Sequence, residues 1–182
     1  MRRLSTVLGI ILTFSLASCH RVELAQSSSA DPAIDTLSRQ YVDAVQARDF
    51  RRAARLFHYP PSETAAALQK DQEFVASAAS LFQDQFGTLE KLALAQSPPV
   101  LEVGINGGDL AYWEQHKHFV SRVFVAQFSN WGEGRLTIDA CKIGRTWEIR
   151  GVRYGLPVSA PSSATRVGSV GAELLKRIGS AN

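Results

Sequence analysis

Apolar residues recur at intervals of three and four in the first half of the chain and at intervals of two in the second, so helices are expected first and strands after them. Ile34, Leu37, Tyr41, Val42 and Val45 form the first helical stripe, with Asp31 or Asp35 placed to cap it through a side-chain oxygen. A shorter helix is expected over 50–57, where Phe50, Ala53, Ala54 and Phe57 share a face and Arg51, Arg52 and Arg55 turn mostly outward. His58-Tyr59-Pro60-Pro61 stops it, because proline lacks an N–H and restricts the residue before it. A third helix opens at Ser62 and Glu63 and runs to Phe82 or Phe86, with Leu68, Phe74 or Val75, Ala78 and Phe82 inward. Gly87 is its natural terminator.

From residue 89 the period changes. Candidate strands cover 89–94, 100–105, 110–118, 119–128, 134–141 and 146–154. Turn-forming runs lie at Asn106-Gly107-Gly108-Asp109, at 129–134 and at Ile143-Gly144-Arg145, so antiparallel neighbours are expected across them. Helices followed by a strand meander predict an α+β fold: three N-terminal helices packed on a curved antiparallel sheet of about five or six strands. After Pro157 the pattern weakens. Val167, Val170, Leu174, Leu175 and Ile178 keep roughly helical spacing, but Gly168 and Gly171 interrupt it, so 158–182 reads as a marginal helix or a tail.

Ahead of the domain, Met1-Arg2-Arg3 is a positive start, an apolar stretch runs over 4–16, and small residues follow. These are the three parts of an export signal, and the stretch is too short for a transmembrane helix of about 20 residues. Leu16-Ala17-Ser18-Cys19 resembles the lipobox of bacterial lipoproteins. That resemblance implies a signal peptide over 1–18, acylation of Cys19 and a membrane-held mature chain; two or more acyl chains anchor stably where one does not. By the same resemblance, His20 in place of Asp points to the outer membrane, with the domain facing the periplasm. The polar, short-sided run that follows reads as a tether over 19–31, ahead of a domain over 32–157.

The chain has 182 residues and a formal net charge of +3. Two of its basic residues, Arg2 and Arg3, belong to the leader, so the mature part is close to neutral and carries no basic stripe suited to nucleic acid. One domain suits this length. With Cys19 assigned to acylation, Cys141 is left without a disulfide partner and reads as a small strand residue rather than a reactive thiol.

Candidate chemistry is sparse. In a strand, Glu114, His116 and His118 would project from one face, and two imidazoles with a carboxylate are a possible metal set; alternate polar residues also mark any solvent-facing strand. His58, Tyr59, Tyr112 and Trp113 combine apolar area with polar tips and are candidate pocket residues, with core packing of Tyr112 and Trp113 as the plainer alternative. Asp43, Asp139 and His58 are bases by residue type only. No catalytic residue is assigned, no cofactor is implied, and phosphate-binding glycine loops, nucleophile elbows and His-Glu-x-x-His are missing from the sequence.

Residues 41–57, with a small-acidic-aromatic turn between two helices and paired alanines Ala53-Ala54, resemble the opening of nuclear transport factor 2-like domains. Trp147-Glu148-Ile149-Arg150-Gly151-Val152 resembles the closing strand of that superfamily. The resemblance implies a helix-backed sheet bent into a cone with a pocket at its open end, and a function ranging from enzyme to binding or assembly module. Three readings follow for the anchored domain: a binding or assembly module for a small apolar ligand or an envelope protein, a small isomerase or hydrolase acting on a hydrophobic substrate, and a metal-binding envelope protein. A buried acid or base beside a tyrosine in a deep pocket would favour the enzyme; a pocket filled by large apolar side chains would remove it.

Overall fold

The computed structural model describes residues 31–61, 64–94, 100–107, 112, 119–158 and 162–180. Among these the elements run α1 (Pro32–Gln46), α2 (Phe50–Ala54), α3 (Ala65–Phe86), β1 (Leu89–Leu94), β2 (Val100–Asn106), β3 (Val120–Phe128), β4 (Gly132–Ile143), β5 (Thr146–Pro157) and α4 (Ser163–Ser180). The expected α+β class is observed. The leader and Cys19 lie outside the described residues, as do Trp113, Glu114, His116 and His118.

Each helix starts and stops for a local reason. Asp31 caps α1 by accepting the Ala33 N–H at 3.0 Å, with Pro32 at the first helical position, where its missing N–H costs nothing. The predicted stripe is buried in full: Ile34, Leu37, Tyr41, Val42 and Val45 all belong to the core. Asp49 caps α2 through the Arg52 N–H at 3.0 Å. This helix ends at Ala54, short of the expected Phe57, because Phe57 leaves it to form a parallel bridge with Ile149 of β5. Thr64 caps α3, and Gly87, at φ 83°, closes it by donating its N–H to the Gln83 carbonyl.

The five strands form one antiparallel sheet in the order β1-β3-β4-β5-β2. Tight turns join β3 to β4 and β4 to β5, as the turn signals require. Among the described residues β2 lies at the sheet edge and pairs with β5, and the expected hairpin across Asn106-Gly107-Gly108-Asp109 is not among the strand pairings seen. Nor is 110–118 a strand at its one described position, since Tyr112 is helical.

Alternation sorts the sheet into two faces. Leu136, Ile138, Ala140, Ile149, Val152, Tyr154 and Leu156 point to the helices and are almost inaccessible. Between the layers the space is filled by aromatic rings. Tyr154 lies 4.7 Å from Phe82 and 5.2 Å from Phe86, while Phe86 packs on Phe128 at 5.4 Å (centroid separations). The C-terminal stretch is helical, and α4 adds Val167, Val170 and Leu174 to this same core, with Arg177 donating to the Ser77 carbonyl at 3.0 Å. The core therefore continues beyond residue 157.

Candidate functional site

Three segments converge on His58. The backbone around Phe57 is clamped to β5: the His58 N–H donates to the Ile149 carbonyl and the Ile149 N–H to the Leu56 carbonyl, both at 2.8 Å. Glu148, one position before Ile149, projects to the opposite face and meets His58 Nδ1 at 3.0 Å. Gly107, past the end of β2, donates its N–H to the Arg150 carbonyl and crosses over His58 so closely that a Cβ there would lie 2.0 Å from the His58 carbonyl oxygen. Only glycine fits that crossing. Tyr112 then brings its hydroxyl to 2.8 Å from His58 Nε2.

The chemistry orders the protons. A carboxylate only accepts, so Nδ1 carries the hydrogen shared with Glu148, and in neutral imidazole Nε2 accepts from the Tyr112 hydroxyl. Burial, then the nearby Cys141 and Glu148, raise the Tyr112 hydroxyl above its ordinary value. Cys141 shares this face, its Sγ 3.7 Å from the Glu148 carbonyl; burial first and Glu148 second push its thiol up to about 11, so it is a packed thiol and no nucleophile. A base fixed by a carboxylate beside a phenol is an arrangement able to pass a proton.

Of the four candidate pocket residues, His58 and Tyr112 are brought together. Tyr59 is not, because its hydroxyl turns back to donate to the Ala54 carbonyl at 2.9 Å; burial, then Asp71, raises it far above the ordinary tyrosine value. Asp43 is exposed on α1, away from any such cluster. Asp139 already accepts from Ser121 at 2.6 Å and from Arg153 at 3.0 Å. Among the described residues no group of three or more His, Cys, Asp or Glu is placed to hold a metal ion, and no helix is long and apolar enough to cross a membrane.

Two features escaped sequence reasoning. Glu148 was visible only as part of a strand pattern, and nothing in the sequence pairs it with a histidine 90 positions away. The second is a charged network on the same face of the sheet. Glu102 accepts from Arg135 Nε at 2.9 Å and from Arg153 Nη1 at 2.9 Å, and Arg153 continues to Asp139. Glycines let these side chains lie flat: a Cβ at Gly104 would meet Arg153 Cγ at 2.5 Å, and one at Gly155 would meet Glu102 Cγ at 3.1 Å. In the register Glu102 and Arg135 both stand opposite Gly155, and Arg153 stands opposite Gly104 and Thr137, so the charges meet diagonally over glycines; with the pairing known, that pattern would have revealed the network.

No protein-family model matches the chain, and neither the curated proteins nor the solved structures contain a match to it.

Proposed function

We propose that the chain is a bacterial lipoprotein, held by an acylated Cys19 in a cell-envelope membrane, whose nuclear transport factor 2-like domain serves as a binding or assembly module. The outer membrane, with the domain on its periplasmic side, is the location that His20 favours. One observation carries the choice of a module over an enzyme: Phe82, Phe86, Phe128, Tyr41 and Tyr154, each at most 3% exposed, belong to the closed core between the helices and the sheet. A filled interior favours a protein partner over a small apolar ligand. Helices on one face of an antiparallel sheet are compatible with the superfamily.

The anchor is tested by intact mass analysis of the natural protein and by fractionation of Cys19→Ser. Diacylglyceryl mass at the new N-terminus and release of the variant from membranes are expected; an unmodified thiol ends the proposal. The module is tested by retrieving partners from envelope extract with the mature chain, scored for proteins and for co-purifying small molecules.

A second reading has one observation in its favour, the Glu148–His58–Tyr112 chain. In it His58 acts as a general base and Tyr112 stabilises developing charge on a hydrophobic ester or ketone. Its requirement is an activity lost in both His58→Ala and Tyr112→Phe. Metal binding through Glu114, His116 and His118 remains a third proposal, and metal titration of the mature chain with and without His116→Ala decides it.

A further inference from the structure

We propose that the tip of the β4–β5 hairpin is a headgroup-contact surface that seats the domain on a bilayer containing anionic phospholipid. This rests on the anchored reading of Cys19, and it says which way the tethered domain faces.

The point where the tether meets the domain is fixed by two hydrogen bonds. Asp31 Oδ1 caps α1, while Oδ2 accepts the indole N–H of Trp147 at 2.7 Å, so the chain enters directly beside the start of β5. Eleven residues, 20–30, separate Cys19 from this point. Eleven residues reach at most about 40 Å even when fully extended, so the surface around Asp31 cannot lie far from the lipid.

That surface has interfacial chemistry. Lys142, Ile143, Gly144, Arg145 and Thr146 are all exposed, with Gly144 at φ 61° making the turn. Ile143 is a large apolar side chain left 38% open at the tip. Trp147 follows, with Lys142 Nζ 5.7 Å from its ring centroid. Two cations suit lipid phosphates, while an indole and a branched alkyl group suit the boundary between headgroups and acyl chains. No acid stands at 142–147. The two nearest in the chain are engaged, Asp139 with Ser121 and Arg153 and Glu148 with His58, and Asp31, which meets Trp147 in space, is held by Ala33 and that indole.

The strength is adequate because the contact is tethered. Each basic side chain at an anionic surface contributes about five-fold in affinity, which is weak for a free protein. A short tether supplies an effective concentration in the millimolar range, and there a weak contact is populated. One competing basic surface is α2, where Arg51, Arg52 and Arg55 are exposed and form no ion pair among the described residues. It offers no large apolar side chain as open as Ile143.

The test couples the mature chain, residues 19–182, through Cys19 to a maleimide phospholipid in vesicles. The buried, high-pKa Cys141 reacts slowly enough to leave Cys19 as the attachment point. Hydrogen exchange is then followed on mixed phosphatidylglycerol–phosphatidylcholine vesicles and on phosphatidylcholine alone. Exchange over 142–147 is expected to slow several-fold on the anionic vesicles only, and to recover in added salt and in the Lys142→Gln/Arg145→Gln variant, which removes both charges without setting a second carboxylate beside Asp31. Equal exchange on both vesicles, or protection at 51–55 instead, overturns the proposal. Because the coupling is chemical, an unmodified Cys19 in the natural protein would sink the anchored reading without altering the vesicle result.

Discussion

The hydroxyls of Tyr41 and Tyr154, 113 positions apart in the chain, face each other at 3.4 Å in the middle of the core. Both rings are buried, so each hydroxyl depends on the other for the partner that water would otherwise supply. Replacing one strands its neighbour, whereas replacing both removes the need. Tyr41→Phe and Tyr154→Phe are each expected to cost about 1–2 kcal/mol, and the double variant less than either sum would give. Urea denaturation of the four proteins measures the cycle; strictly additive losses would show that the two hydroxyls are independent.

Glu102 is the hub of the charged network and is only 8% exposed. Removing it leaves Arg135 and Arg153 partly buried without their shared acceptor. Breaking a buried pair typically costs about 3–5 kcal/mol, but these arginine side chains are 21% and 35% open to screening water. A loss of about 2–3 kcal/mol is therefore expected for Glu102→Leu. Coupled loss with Arg153→Met, measured as a double-mutant cycle, distinguishes the network from simple packing; no coupling would remove it.

Cys141 gives the stability curve an alkaline limb. Its thiol moves from an ordinary 9.0 to about 11, so between those values the native state holds a proton that the unfolded chain has released. The unfolded state then binds fewer protons, and stability falls as pH rises. The contribution is complete below pH 9.0 and is lost as pH rises through about 11. Tyr154, raised to about 12, prolongs the decline from its ordinary 10.0. Cys141→Ala should flatten the first part of this limb, and in the native protein the thiol should react with a disulfide reagent only as fast as the chain opens. Rapid labelling of folded protein would contradict both expectations.

The helices were legible because each has its own stripe and stop signal. Ile34, Leu37, Tyr41, Val42 and Val45 are buried as their spacing demands, and Val75, Ala78 and Phe82 line α3. Where two local preferences competed, the sequence was ambiguous. Phe57 fits a helical face, yet it bridges Ile149, a contact that periodicity contains no trace of. The β2–β5 pairing is likewise invisible, because alternation reports that a strand has two faces and says nothing about its neighbour. The site followed the same division: His58 and Tyr112 drew notice by type, while their joining and the arrival of Glu148 depend on long-range register.

Gly107 measures how tightly that long-range register is held. Its φ lies outside the left-handed region, so the need for glycine is purely steric: a Cβ would stand 2.0 Å from the His58 carbonyl oxygen, a backbone atom with no rotamer to change. Gly107→Ala is expected to cost about 1–3 kcal/mol, as overpacking does, and to disturb the His58–Tyr112 contact. Chemical-shift changes at the His58 ring would report this. A variant as stable as the parent, with the imidazole signals unmoved, would mean that β2 passes farther from His58 than described.

α4 separates docking from propensity, because Leu174 is fully buried and its chain neighbour Leu175 is 55% exposed. If the helix packs on α3 and the sheet, Leu174→Ala loses both transfer energy and packing, about 2–5 kcal/mol, while Leu175→Ala stays within about 0.5 kcal/mol. Gly168 lies in the same helix with nothing within 4 Å of a would-be Cβ, so Gly168→Ala meets no obstacle. It should stabilise by about 0.5–1 kcal/mol through the lower backbone entropy of alanine in the unfolded chain. A gain from Gly168→Ala reaches global stability only if α4 folds with the rest. Should all three substitutions leave the denaturation midpoint untouched, the helix would be melting independently, and the core would close without it.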